Sequence, residues 1–187
     1  MVAVWAIVLA GCAKASVPIS AEPRDGGGAP IDTEVMAYLS EARALHHQAN
    51  LSEDARDIPA AISPLERLVK ERKPHEGTTV PEVEEVLADT FARLAELRAR
   101  TNDLAGAEVD IRTGLSHAGG PTYFRGHLLE IQGILEEARA NDLADAGRRS
   151  EASEARAKAR DLLNQAVNVQ ERVLSNATGG PSDGGRP

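Results

Sequence analysis

Apolar positions recur at intervals of three and four through most of the chain, the spacing that lays one stripe along a helix. Val35, Leu39, Ala42, His46 and Ala49 form the first such stripe and predict a helix from about Glu34 to Asn50, capped by Asp32 or Thr33. A second arm follows through Ala61, Leu65, Leu68 and Val69 and closes at Lys73-Pro74. Within it, Ser63-Pro64-Leu65-Glu66 joins a capping box to a proline suited to the first helical position, so a restart or strong kink is expected at Pro64. Thr79-Val80-Pro81-Glu82 is another capping box and opens the next arm. Thr101-Asn102-Asp103 separates that arm from a shorter one, which Asp103 should cap and Gly119-Gly120-Pro121 should stop. Thr122 caps a long helix to about Ala146. After Gly147, Ser150 is expected to start a last helix reaching about Asn176.

The stripes carry a second regularity. First arms contain a large residue followed four positions later by a small one: Leu45 and Ala49, Phe91 and Ala95, Leu129 and Gly133. Second arms read Ala61-x-x-x-Leu65-x-x-Leu68, Ala107-x-x-x-Ile111-x-x-Gly114 and Ala159-x-x-x-Leu163-x-x-Ala166. Ala49 to Ala61 and Ala95 to Ala107 are each 12 residues apart, whereas Gly133 to Ala159 is 26. Two extra turns on each arm of the third pair would absorb the difference. The expected fold is all-α: three antiparallel helical hairpins, arranged as a stack or a compact bundle. Small residues at the crossings would let the paired arms approach closely.

Composition narrows the function. The net charge is −8 and aromatics make up 3 % of the 187 residues. Such a chain lacks both the phosphate-neutralising stripe and the stacking platform that nucleic-acid binding uses, so nucleic acid is not an expected partner. The hydrophobic fraction, 42 %, is rich in Ala and Leu, which favours helix. One cysteine allows no intramolecular disulfide.

That cysteine has a telling position. Residues 1–11 form an uncharged apolar run shorter than a membrane span, and Leu9-Ala10-Gly11-Cys12 resembles the lipobox of bacterial lipoproteins. The resemblance implies a signal peptide over 1–11, lipidation of the Cys12 thiol, and anchoring in the cell envelope. Ala13 in place of the aspartate typical of inner-membrane retention points to the outer membrane. The family's basic residues ahead of the apolar run are absent here, and the alternatives are a non-lipidated signal cut near Ala13-Lys14-Ala15 and a chance apolar N-terminus. Residues 12–31, rich in Ser, Pro, Gly and Asp, read as a flexible tether. The helical domain is expected over 32–176, and 177–187 as a disordered tail.

The hairpin pattern, with Asn102-Asp103-Leu104-Ala105-Gly106-Ala107 and Arg56-Asp57-Ile58-Pro59-Ala60-Ala61 at the turns, resembles the tetratricopeptide repeat (TPR) over roughly residues 35–175. It departs from the family in its interval: the second-arm alanines lie 46 and 52 residues apart, against about 34 in the family. The usual tryptophan and tyrosine are also missing. The resemblance implies a binding surface lined by the first arms. Carried over, that surface comprises Arg43, His46, Asn50 and Glu53, then Asp89, Ala92, Glu96 and Ala99, then His127, Glu130, Ile134 and Glu137. Acids outnumber bases among these, which suits a basic or polar peptide, and Ile134 is an apolar anchor amid acids. The bland alternative is a solvated helix face.

Catalysis has little to rest on. No nucleophile elbow, phosphate loop or dinucleotide fingerprint occurs, and no cofactor is expected. A cell-wall lytic enzyme would need a glutamate acid in an aromatic-lined cleft. His46 and His47 are adjacent and point about 100° apart on a helix, so they cannot share a metal. His117, His127 and Glu130 do not have conventional ligand spacing, and no metal is expected. The leading expectation is a lipid-anchored interaction scaffold with a protein or peptide partner in the envelope. A pilotin-like or structural lipoprotein is the alternative.

Overall fold

A computed structural model describes residues 32–179. The signal segment, Cys12 and the tether lie outside the described residues, as does the tail beyond Gly179. The described chain forms six helices: α1 (Thr33–Asp54), α2 (Ile58–Lys70), α3 (Pro81–Arg100), α4 (Leu104–His117), α5 (Tyr123–Asp145) and α6 (Arg149–Ala177). None is long and apolar enough to cross a membrane.

The six helices make three antiparallel hairpins, α1–α2, α3–α4 and α5–α6, joined by one repeated turn. Each turn has three residues, and the middle one adopts a left-handed conformation: Arg56 (φ 62°), Asn102 (φ 64°) and Gly147 (φ 75°). The backbone bonds match as well. Asp57, Asp103 and Arg148 donate to the carbonyls of Ser52, Arg98 and Leu143, five residues back in each case. These are the last carbonyls of the first arm, which would otherwise lack partners. In the first two turns the aspartate then caps the next helix through its side chain, Asp57 accepting from Ala60 N and Asp103 from Gly106 N.

The small residues sit at the crossings in all three hairpins. Ala49 packs in one buried cluster with Ala61, and Ala95 in another with Ala107. A Cβ on Gly133 would lie 3.3 Å from the Ala159 carbonyl oxygen and 2.8 Å from Leu163 Cγ. Length is added as the spacing requires. Gly133 stands 12 residues before the end of α5 at Asp145, against 5 from Ala95 to Arg100. Ala159 stands 10 residues after the start of α6, against 3 from Leu104 to Ala107. Each arm therefore gains seven residues, two turns.

Neighbouring hairpins touch and distant ones do not. α3 meets α1, α2, α4 and α5, and α5 meets α3, α4 and α6, while neither α1 nor α2 reaches α5 or α6. The first arms α1, α3 and α5 thus lie side by side, with one second arm wedged at each junction. α3 is consequently buried on both flanks. Leu87, Leu94 and Leu97 face the first hairpin beside Leu45, Leu65 and Leu68, while Ala88, Ala92 and Ala95 face Ile111, Leu128 and Ile131.

Three local expectations are corrected. α2 does not restart at Pro64; of the two expected forms it takes the single helix, running from Ile58 to Lys70 with Pro64 inside. Asp57 already caps it, and the Ala60 carbonyl that Pro64 leaves without a donor belongs to an exposed residue, so water can satisfy it. Thr79 is not the cap of α3: Val80 is, with extended backbone and no capping side chain. Pro81 at the first helical position keeps the residue before it out of the helical region, which sets the boundary. α6 starts at Arg149 after Arg148, not at Ser150.

One buried acid lies beside an arginine that reaches across a hairpin junction. Arg98 of α3 donates to Glu66 of α2 at 2.7 Å and stands 3.3 Å from Asp110 Oδ2 of α4, which makes no hydrogen bond. Burial pushes the Asp110 carboxyl up to about 6, aided by the nearby Glu66 and Asp103 charges and opposed by Arg98. Because the folded value is raised, the folded state holds this proton in a window where the unfolded chain has lost it. Stability therefore falls as pH rises from about 4 to about 6 and is level above. Asp110→Asn removes the charge, so it should stabilise the domain at pH 7.5 by roughly 1 kcal/mol after allowing for solvent screening. Urea unfolding at pH 7.5 and pH 4 should show that gain only at the higher pH.

Candidate functional site

Twelve residues were assigned to the inner surface from the repeat pattern, and they divide into three groups in the structure. The first lies where α1 meets α3. His46 Nε2 donates to the Thr90 hydroxyl at 2.9 Å, because that hydroxyl already gives its own proton to the Val86 carbonyl. Its other nitrogen is 3.9 Å from Asp89. Burial lowers the His46 pKa, with Asp89 opposing and Arg93 assisting. Asn50 accepts from Arg93 at 2.7 Å, and Glu53 accepts from both Arg93 and Arg100. Burial raises the Glu53 carboxyl, but these two guanidinium groups outweigh it and hold it below its usual value. Arg43 is exposed, with no ion pair among the described residues.

The second group does not reach the surface intact. Ala92 is fully buried in the core between α3 and α5, so its assignment as a surface position is overturned. The cause is the double burial of α3: the flank that is open on an end helix is covered here. Ala99 is half-buried and Glu96 remains accessible.

The third group runs along α5. Tyr123, His127, Glu130, Ile134 and Glu137 follow one another at alternating steps of four and three, so they share one face. The Tyr123 ring stacks on His127, centroids 6.0 Å apart. His127 Nε2 is 3.7 Å from Glu96 of α3 and its Nδ1 is 3.7 Å from Glu130. Both distances exceed hydrogen-bond length, so the two carboxylates keep their acceptor capacity.

Between α3 and α5, below this ledge, lies a groove of about 360 Å³. Leu97, Ala99, Ile131, Ile134 and Leu135 make its floor, and Glu53, Glu96 and Arg100 its rim. Ile134 is 53 % exposed, an apolar side chain that the fold leaves open to a partner. Four of the candidate residues, Glu53, Glu96, Ala99 and Ile134, converge here, and Glu130 and Glu137 flank Ile134 on its own helix. Arg43, His46 and Asn50 lie outside the groove. The sequence reading missed Arg93 and Arg100. Their positions on the face follow from helical spacing, but their pairing with Glu53 spans 40 and 47 residues and has no local signal.

The histidines do not gather. His117 of α4 donates from Nδ1 to Glu84 at 2.6 Å and stacks on Phe91, centroids 5.6 Å apart. His127 faces Glu96 and Glu130 instead. Among the described residues no group of three or more histidine, cysteine or acidic side chains is arranged to hold a metal ion.

Comparison with protein-family models, with curated proteins and with solved structures finds no match to this chain.

Proposed function

We propose that this protein is a lipid-anchored scaffold of the cell envelope that binds a protein or peptide partner through a TPR-like surface. The groove between α3 and α5 carries the reading: an accessible apolar floor centred on Ile134, bordered by carboxylates. Such a combination suits recognition of a polypeptide, whose side chains offer both apolar bodies and charges. The TPR-like part of the reading is supported by the threefold hairpin, with the same turn and the same small-residue crossing each time, and by first arms aligned side by side. Stacked hairpins of this kind present one extended surface assembled from equivalent helices.

Anchoring rests on Leu9-Ala10-Gly11-Cys12, which holds the single cysteine of the chain. Acyl chains on that thiol bury methylenes worth about 0.8 kcal/mol each, enough together for durable attachment. Fractionation of cells producing the Cys12→Ala variant tests this. The expected outcome is transfer of the protein out of the membrane fraction, with the mature domain's helical circular-dichroism spectrum unchanged. Retention in the membrane at the original level would refute the anchor.

A further inference from the structure

The groove and the aromatic ledge above it lie on one face of α5, and together they define a ligand with two features at a fixed separation. At the upper end, Tyr123 lies exposed over His127, with the Glu96 and Glu130 carboxylates 3.7 Å from the same imidazole. An aromatic face beside two carboxylates that lack committed donors favours a cation. At the lower end, Ile134 is the exposed part of an apolar floor, under a rim of Glu53, Glu96 and Arg100. Arg93 and Arg100 are both held on Glu53, on the α1 side of the face, and the single surplus positive charge of that trio leaves Glu96 and Glu130 without a guanidinium partner among the described residues. His127 to Ile134 spans seven residues of helix, about 10 Å. Three residues of extended peptide, at about 3.3 Å each, cover the same distance.

We infer that the face binds an extended segment of a partner protein in which a lysine or arginine and an aliphatic residue stand three positions apart. The basic side chain sits against Tyr123, Glu96 and Glu130, and the aliphatic one enters the groove beside Ile134. This rests on the scaffold reading of the same surface and adds the chemistry of the partner.

The probes are blocked twelve-residue serine-rich peptides carrying Arg-Ser-Ser-Leu or Leu-Ser-Ser-Arg, which cover the two chain directions. Binding to the full chain in detergent is read by fluorescence anisotropy. One of the two orders should bind at least tenfold more tightly than its Arg→Glu and Leu→Ser versions, and than peptides with one or five intervening residues. Ile134→Ser should bring the Leu peptide down to the level of the Ser peptide. Glu96→Gln with Glu130→Gln should erase the preference for Arg over Ser, and leave that for Leu over Ser. Equal binding of the Arg and Glu peptides, or indifference to these substitutions in a folded protein, would overturn the inference. If neither peptide binds while photocrosslinking from position 134 still captures an envelope protein, the ligand chemistry is wrong and the scaffold reading stands. If both fail, both readings fall.

Discussion

Leu128→Ala is expected to destabilise the domain by about 3 kcal/mol, the usual cost when a fully buried leucine leaves a cavity. Leu128 has no exposed surface and belongs to the cluster that joins α5 to α3 and α4. The loss should also be unevenly distributed. Because α1 and α2 do not touch α5 or α6, weakening the second junction should release the third hairpin first. Hydrogen exchange followed by mass spectrometry should then show protection falling in α5 and α6 well before α1 and α2. A uniform fall would mean that the three hairpins behave as one cooperative bundle.

Gly133→Leu should have a comparable effect for the opposite reason. The Cβ alone would lie 2.8 Å from Leu163 Cγ, 3.0 Å from Leu163 Cδ2 and 3.3 Å from the Ala159 carbonyl oxygen. Leu163 can turn away, but the carbonyl belongs to the backbone of α6, so the two longest helices would have to separate. Overpacking of this sort costs about 1–3 kcal/mol and more when backbone must move. The better helix propensity of leucine returns at most about 1 kcal/mol. Thermal unfolding should place this variant several degrees below the parent. Unchanged stability would mean that α5 and α6 do not cross at Gly133.

Much of the hairpin architecture could be read from local spacing, because a close crossing demands a small residue on both arms at matched distances from the turn. Ala49 with Ala61, Ala95 with Ala107 and Gly133 with Ala159 met that demand, and the seven residues added to each arm of the third hairpin followed from it. Helix boundaries at proline were harder. Pro64 looks like a helix start, but Asp57 had already capped α2 and solvent could reach the Ala60 carbonyl. Val80 caps α3 because of a constraint from Pro81, which a search for capping side chains does not register.

The surface was legible only in part. Ile134 and Glu96 fell where helical spacing put them, since α5 has an open face there. Ala92 did not, because burial of α3 by hairpins on both flanks depends on stacking order and not on its own periodicity. The excess of acids among the twelve positions could be counted, but not which of them are paired: Arg93 and Arg100 both engage Glu53 across 40 and 47 residues. The acids of the face without an arginine partner among the described residues are therefore Asp89, Glu96, Glu130 and Glu137.

The central claim is that partners are held on the α3–α5 face. Photocrosslinking in intact cells tests it most directly, with a photoreactive amino acid placed singly at Glu130 or Ile134, and at Ser153 or Arg160 on exposed positions of α6. The account predicts a discrete heavier adduct from the two groove positions and none from the α6 positions. Adducts of equal yield from both faces, or none from positions 130 and 134, would contradict it.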